Sequence, residues 1–159
     1  MSTLRRLLRD RSAMLGLGVV VLLVLAAVFA YPLATFPQDV TSFDPAHRLL
    51  PPSLRYFFGT DRMGADIYSR LLFGARLTLL IAFVATSVSV AIGVPVGLVA
   101  GFFTNRFSEA LMRVSDVFLA VPQIVLAIAI AQTLGPAIQN VILALSVTYW
   151  PFWARLVYA

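Results

Sequence analysis

Three long stretches of this sequence contain no charged residue. They run from Ser12 to Gln38, from Leu77 to Phe103 and from Val117 to Ala154. A membrane helix needs about 20 predominantly apolar residues, because each residue adds only about 1.5 Å along the helix axis. All three stretches are long enough, and 60% of the chain is hydrophobic whereas only 12% is charged. The sequence therefore predicts an all-α membrane protein with several transmembrane helices.

The third stretch is long enough for two helices, and Gly135-Pro136 lies near its middle. Gln132, Gln139 and Asn140 flank this pair, which favours a tight polar turn over one very long helix. We therefore predict four spans, near residues 13–33, 78–102, 115–133 and 137–153, with a tail at residues 1–12 and a proline-rich loop over residues 34–76.

The distribution of arginine predicts the orientation of these spans. If the N-terminus is inside, seven arginines are cytoplasmic (Arg5, Arg6, Arg9, Arg11, Arg106, Arg113 and Arg155), against five in the long loop. Cytoplasmic flanks carry the excess of basic residues in membrane proteins. We therefore expect a cytoplasmic N-terminus and an extracytoplasmic loop.

Gly93, Gly97 and Gly101 recur at every fourth position of the second span. This spacing places three missing side chains on one helix face, where another helix backbone can approach closely. Pro95 lies between them and removes one backbone hydrogen bond, so a hinge for gating is an alternative. We favour close helix packing.

Two further patterns indicate local structure. Between Gly64 and Gly74, apolar residues recur at helical spacing with Asp66 near the start, which predicts a short amphipathic helix along the membrane surface. In the third span, Arg113 and Asp116 are three residues apart and are expected to pair.

Aromatic residues crowd the end of the fourth span. Rings of this kind prefer the headgroup boundary of a membrane, so an interface belt is favoured over a ligand-binding cage. The residues are Tyr149, Trp150, Trp153 and Tyr158.

The residue types present exclude several functions. The chain has no Cys and no Lys, and its one histidine, His47, lies in the proline-rich loop. A thiolate metal site and a Walker-type phosphate clamp therefore cannot form, and no nucleophile–base set is available. The basic residues are spread along the chain rather than gathered in one stripe, which argues against nucleic-acid binding. We predict no catalytic residue, no metal ligand and no cofactor site in this chain.

The segment from Phe58 to Arg70, continuing through Gly74-Ala75-Arg76, contains Gly59-Thr60-Asp61, Gly64, Asp66 and Ser69-Arg70 in order. It resembles the signature of the dipeptide/oligopeptide/nickel permease family of ATP-binding-cassette (ABC) importers, C-type subunit. Pro51-Pro52-Ser53, Ala120-Val121-Pro122 and Trp150-Pro151 also resemble the pattern of that family. Ala65 departs from the pattern, because the family usually has Arg there.

The resemblance implies a type I importer permease fold with six spans, of which four are present here. It implies a subunit in a bacterial or archaeal plasma membrane that imports di- or oligopeptides, or alternatively nickel or another small solute. The expected partners are a second homologous permease, two cytoplasmic ATPases that bind ATP and Mg, and an extracytoplasmic solute-binding protein. The sequence ends at Ala159, where the cytoplasmic coupling loop is expected to begin. We therefore expect either a truncated chain or a natural fragment.

Polar residues at two places are the candidates for this function. The candidates for docking of the binding protein are Asp61, Arg62, Asp66 and Arg70, and those for the translocation path are Gln123 and Gln132. A membrane assembly subunit without a transport path is a rival and predicts that no ATPase co-purifies. An intramembrane enzyme is disfavoured because charged residues deep in the spans are lacking.

Overall fold

The computed structural model describes residues 10–40, 44–103 and 105–159. Within these ranges the regular structure is helical, apart from one isolated bridge between Thr60 and Asp66. The α-helices are α1 (Arg11–Val28), α2 (Ala30–Leu33), α3 (Ile67–Phe102), α4 (Arg106–Ala120), α5 (Gln123–Leu134) and α6 (Ile138–Tyr158). Two short 3-10 helices, Pro37–Val40 and Pro45–His47, lie between α2 and α3. The predicted all-α fold class is confirmed.

Three of the described helices are long and apolar enough to cross a membrane. These are α1, α3 and α6, and a fourth span is present if α4 and α5 together count as one. Most large apolar side chains on these helices are exposed instead of buried in the protein. Such a surface is stable only in lipid or against other apolar helices. The chain is therefore a multi-pass membrane protein.

The chain forms two compact units, of which the first ends at Leu79 and the second begins at Leu80. The first unit contains α1, α2, the loop that follows them and the start of α3. The second contains the rest of α3 together with α4, α5 and α6. The predicted tail at residues 1–12 lies mostly outside the described residues.

The predicted short amphipathic helix is not a separate element. Helix α3 begins at Ile67 and continues without a break to Phe102, so residues 67–74 are its first turns. No proline interrupts these turns, and Gly74 lies inside the helix with open space around it. The expectation of a separate short helix was therefore wrong.

The predicted span at residues 115–133 is divided in the structure. Helix α4 begins earlier, at Arg106, and the chain bends by 87° before α5 begins at Gln123. Pro122 explains the break, since a proline pushes the preceding residue out of the helical region, and Val121 has φ −94° and ψ 136°. The predicted span therefore covers the last turns of α4 and most of α5, joined at a bend that the sequence analysis did not place.

The tight polar turn predicted at Gly135-Pro136 is present between α5 and α6. Gly135 has φ +93°, a backbone conformation that glycine adopts without strain. The side-chain amide of Asn140 donates to the carbonyl oxygens of Leu134 (2.6 Å) and Gly135 (3.1 Å). These bonds satisfy carbonyl groups that the end of α5 leaves free.

Small residues line the contact between α3 and α6 in the second unit. A Cβ atom added at Gly93 would lie 2.7 Å from Trp153 Cβ and closer still to the carbonyl oxygen of Trp150. At Gly97 an added Cβ would meet Val157 Cβ at 2.9 Å. At Gly101 the nearest atom, in Tyr158, is 4.0 Å away, an ordinary distance. The helices thus approach most closely at the first two glycines of the predicted set.

Two serines extend this contact toward the start of the helices. Ser89 Oγ donates to the carbonyl oxygens of Ala85 (2.8 Å) and Ser146 (3.3 Å). Ser146 Oγ in turn lies 3.4 Å from the carbonyl oxygen of Ala85. Small hydroxyl residues at helix contacts satisfy their own polar groups and let backbones come close. The row of small residues therefore begins at Ala85, two turns before the first glycine.

Candidate functional site

The loop between α2 and α3 folds into a hydrogen-bonded segment that we call the loop platform, residues 44–66. Thr60 lies at its centre, since its hydroxyl accepts from the Leu50 N–H (2.8 Å) and donates to the His47 carbonyl oxygen. The Thr60 N–H also donates to the Leu50 carbonyl oxygen (3.1 Å). The segment is thus held mainly by polar contacts.

Two glycines of the loop platform have backbone conformations that other residues avoid. Gly59 has φ +74° and Gly64 has φ +85°. A Cβ atom at either position would also collide with a carbonyl oxygen, of Leu50 and Asp44 respectively. Both positions therefore require glycine.

Asp61 is held inside the platform and is paired with the start of α3. Its carboxylate accepts from the N–H groups of Met63 (2.7 Å) and Ala65 (3.1 Å) and forms an ion pair with Arg70. Partial burial raises the pKa of Asp61, but the two N–H donors and the Arg70 charge outweigh it and hold the pKa below its usual range. Asp61 is therefore ionised at neutral pH.

Asp66 is the N-cap of α3 and has no solvent exposure (0%). Its Oδ2 accepts from the Ser69 N–H (3.0 Å) and from the Ser69 hydroxyl (2.6 Å). The Ser69 hydroxyl accepts in turn from the Phe36 N–H at 3.0 Å, which ties the end of the first helical segment to the first turn of α3. Because its side chain is fully enclosed, Asp66 cannot touch a partner protein in this conformation, contrary to the docking role expected for it.

The four predicted docking residues thus separate into different roles. Asp61 and Arg70 bind each other and Asp66 caps a helix, whereas the side chain of Arg62 is exposed. Ala65 is fully buried, so the Arg that is usual at this position would need a different local packing. Sequence reasoning missed the capping role of Asp66, although the Asp-x-x-Ser spacing at the start of a helix is a recognisable sign of it.

His47 is part of the same platform and pairs with a carboxylate. Its Nδ1 lies 2.6 Å from Asp44 Oδ2. The hydrogen bond from His47 lowers the pKa of Asp44 below its usual range. His47 is therefore a loop residue with a local partner, and within the described ranges no group of three or more His, Cys, Asp or Glu side chains is placed to hold a metal ion.

The second unit contains a half-open cavity of about 380 Å³ between α3, α5 and α6. Its wall combines small apolar residues, aromatic rings and a few polar side chains. The lining residues are Ala82, Ala85, Thr86, Ser89, Gln123, Leu145, Tyr149, Phe152 and Trp153. A concave, mostly apolar wall with a few polar groups is the usual composition of a small-molecule site.

The bend before α5 places Gln123 in this cavity, because Gln123 is the first residue of α5. Gln132 follows nine residues later, which on an α-helix is the opposite face. Its side chain is exposed and does not line the cavity. The structure therefore separates the two glutamines predicted for one path.

The aromatic residues near the end of α6 are also separated. Tyr149 and Trp153 line the cavity, whereas the Trp150 ring packs against Phe118 with centroids 5.8 Å apart. Sequence reasoning favoured an interface belt for all of them and missed the cavity wall. Only the close approach of α3 and α6, which periodicity in α6 alone does not reveal, shows which rings face inward.

Asp116 pairs with Arg155 of α6 rather than with Arg113. The distance from Arg155 Nη1 to Asp116 Oδ1 is 2.8 Å, and both side chains are about half exposed. The packing of α4 against the last turns of α6 brings these two groups together. The predicted pair within α4 was therefore wrong.

Comparison with known proteins gives matches along almost the whole chain. Residues 2–52 match the family described as the N-terminal transmembrane domain of oligopeptide transport permease C. Residues 93–159 match the family described as the binding-protein-dependent transport system inner membrane component.

Individual relatives are similar over nearly the same length. A putative peptide transport system permease protein of Brucella abortus is 41% identical over 99% of this chain and 52% of its own length. The dipeptide transport system permease protein DppC of Alkalihalophilus pseudofirmus is 37% identical over 96% of this chain and 50% of its own. The oligopeptide transport system permease protein OppC of Bacillus subtilis is 36% identical over 95% of this chain and 50% of its own length. The chain spans about half the length of the curated relatives it matches.

Proposed function

Because this chain belongs to the C-type permease family of peptide ABC importers, we propose that it forms part of the transmembrane permease subunit of an ATP-driven importer of di- or oligopeptides. The observation that carries the proposal is that relatives named as peptide-transport permeases align with this chain over 92–99% of its length at 38–41% identity. The membrane helices and the partly polar cavity between them are consistent with this role.

The proposed complex contains a second homologous permease, two cytoplasmic ATPases and an extracytoplasmic solute-binding protein. The family description of an inner membrane component that depends on a binding protein supports this set of partners. In this arrangement ATP and Mg are held by the ATPases, and this chain supplies part of the path. In this arrangement the N-terminus is cytoplasmic and the loop platform is extracytoplasmic. This orientation places seven arginines on the cytoplasmic side and five in the long loop, as the positive-inside rule favours.

We assign the substrate path to the cavity side of α5. Gln123 supplies an amide that both donates and accepts hydrogen bonds, which suits a peptide bond of any sequence. Thr86 and Tyr149 add hydroxyl groups to the same wall, and Trp153 adds an aromatic face. Such a wall contacts the backbone of a peptide without selecting one side chain.

On the opposite side of the membrane from the ATPases, Arg62 is the remaining candidate for docking of the binding protein. Its side chain is exposed, while the ion pair between Asp61 and Arg70 stabilises the platform. The paired residues therefore act indirectly, by fixing the loop that presents Arg62.

The test of this proposal is purification of the full-length product in detergent, followed by reconstitution into proteoliposomes. We expect two ATPases and a second permease to co-purify, and labelled dipeptide to accumulate only with ATP and the binding protein. Recovery of the protein without any ATPase, under conditions that preserve a known importer, would instead favour a membrane assembly subunit.

A further inference from the structure

The first unit exposes large apolar side chains outside the membrane-crossing helices. Leu54 is 96% exposed, and Phe57 and Phe58 are each about half exposed. We call these three residues the apolar tip of the loop platform. An exposed apolar cluster in an extramembrane loop indicates a surface that is covered by something other than water.

Two helix ends of the first unit lie next to each other. The first helical segment ends at Leu33, and three residues later the Phe36 N–H donates to Ser69, the third residue of α3. The end of one membrane helix and the start of the next are therefore side by side.

The two aromatic residues of the apolar tip lie next to the start of α3. The Phe57 and Phe58 rings both contact Tyr68, the second residue of α3, edge-on with centroids 5.5 and 5.8 Å away. One turn further along α3, Leu71 is exposed on the membrane-crossing helix. The aromatic rings of the tip therefore continue the apolar surface that begins on α3.

Arg55 places a positive charge beside the apolar tip. Its guanidinium carbon is 5.7 Å from the Phe36 ring centroid and 5.5 Å from that of Tyr56, so it is held by cation–π contacts at the level of the helix ends. Within the part of the chain that the structure describes, no carboxylate lies within ion-pair distance of this exposed group. Its charge is free to meet an anion from outside the chain.

From these observations we infer that the loop platform is seated on the membrane, with Leu54, Phe57 and Phe58 inserted among the acyl chains and Arg55 bound to a phospholipid phosphate. Aromatic and apolar residues next to arginine are the usual composition of segments that lie in the headgroup region. The exposed Arg48 adds positive charge to the same loop, which complements anionic lipid. This surface does not depend on the proposed transport function, only on insertion of the helices into a bilayer.

The seating of the apolar tip can be measured by spin labelling, because the chain contains no cysteine of its own. Single variants Leu54→Cys, Leu22→Cys and Ala46→Cys are labelled in the full-length complex, in nanodiscs of phosphatidylethanolamine and phosphatidylglycerol. Reactive cysteines are first removed from the other subunits and from the rest of this subunit. Leu22 is an exposed apolar residue of α1 and reports lipid, whereas Ala46 lies beside the Asp44–His47 pair and reports water.

We expect collisions of the Leu54 label with a water-soluble nickel chelate to be several-fold fewer than at Ala46, and collisions with dissolved oxygen to be more frequent, as at Leu22. A Leu54 label as accessible to the chelate as Ala46 would overturn the inference. So would a label that becomes protected only when the binding protein is added, because the tip would then be a protein-docking surface.

The phosphate contact is tested separately with Arg55→Gln and the matched control Arg62→Gln. In detergent, added phosphatidylglycerol is expected to raise the thermal unfolding midpoint of the parent and of Arg62→Gln by similar amounts, and that of Arg55→Gln by much less. Inorganic phosphate at the same concentration is expected to leave all three unchanged. An undiminished lipid effect in Arg55→Gln, or an equal effect of inorganic phosphate, would contradict lipid binding at Arg55.

Discussion

The loop platform and the contact between α3 and α6 are stabilised in opposite ways. The platform is held mainly by charged and polar groups, as at Thr60, Asp61 and Asp66. Several of its large apolar side chains, including Leu54, Phe57 and Phe58, are exposed. At the helix contact, Gly93 and Gly97 have no side chain, so the backbones of α3 and α6 pack directly against each other. Each hydrogen bond exposed to water adds little net stability, so a polar network needs several of them. Between helices in lipid, close van der Waals packing is a main source of stability. The two regions should therefore respond differently to the same kind of substitution.

The largest effect is expected from adding one methyl group at the helix contact. In Gly93→Ala the new Cβ collides with the carbonyl oxygen of Trp150, and backbone cannot move aside cheaply. We expect a loss of about 1–3 kcal/mol in the free energy of unfolding, which is typical of overpacking. The matched control is Gly101→Ala, which has 4.0 Å of space and should show almost no loss when both are unfolded in detergent. Equal losses in both variants would contradict this geometry.

Removing the buried cap of α3 should have the next largest effect. Asp66→Ala leaves the Ser69 N–H and hydroxyl without an acceptor and is expected to cost about 0.5–2 kcal/mol of unfolding free energy. Asp10→Ala is the comparison. It removes an exposed cap on α1, where the Ser12 N–H can donate a hydrogen bond to water instead. Thermal unfolding of both variants should show the larger drop for Asp66→Ala. The reverse order would mean that the platform is not anchored through α3.

The polar platform should also be sensitive to acid, unlike the helix contact. The pKa of Asp61 is lowered in the folded protein, so its contribution to stability is fully present above the ordinary aspartate value of 3.8 and is lost as the pH falls through the lower folded value. Asp61→Asn should therefore lose less stability on acidification than the parent. Gly93→Ala should lose as much as the parent, because the helix contact contains no titrating group. Unfolding midpoints measured across this pH range check the prediction, and an unchanged acid response in Asp61→Asn would refute it.

The smallest effect is expected at the exposed ion pair between α4 and α6. Arg155→Gln removes the partner of Asp116, but both groups are about half exposed, so the loss should be less than about 1 kcal/mol. Arg113→Gln is the control, and it should have no effect on the salt dependence of the unfolding midpoint. A larger effect of Arg113→Gln would restore the pair that the sequence spacing predicted.

Much of the fold follows from hydrophobic length and helix-breaking residues. The uncharged stretches identify the membrane helices, and Gly135-Pro136 identifies the turn between α5 and α6. The bend at Pro122 was visible as a proline in an apolar run, but its angle of 87° depends on how α4 and α5 pack against α6. The start of α3 was misplaced because nothing in residues 67–76 distinguishes an amphipathic helix from the first turns of a longer one.

The candidate site was less predictable because it depends on contacts between distant residues. The charge of Asp66 suggested a docking residue, but the side chain is buried and caps α3. Gln123 and Gln132 have the same side chain in the same apolar helix, and only the bend and the neighbouring helices decide which one meets the cavity. Arg55 escaped notice because its aromatic partners include Phe36, far away in sequence.

The most direct test of the account compares Gln123→Ala with Gln132→Ala in the reconstituted full-length complex. Both variants remove the same amide from α5, one from the cavity wall and one from the exposed face. We predict that Gln123→Ala lowers ATP-driven uptake of a labelled dipeptide several-fold while Gln132→Ala transports like the parent, with equal amounts of assembled complex in each case. Normal uptake by Gln123→Ala together with a deficit in Gln132→Ala would place the path on the other face of α5 and contradict the account.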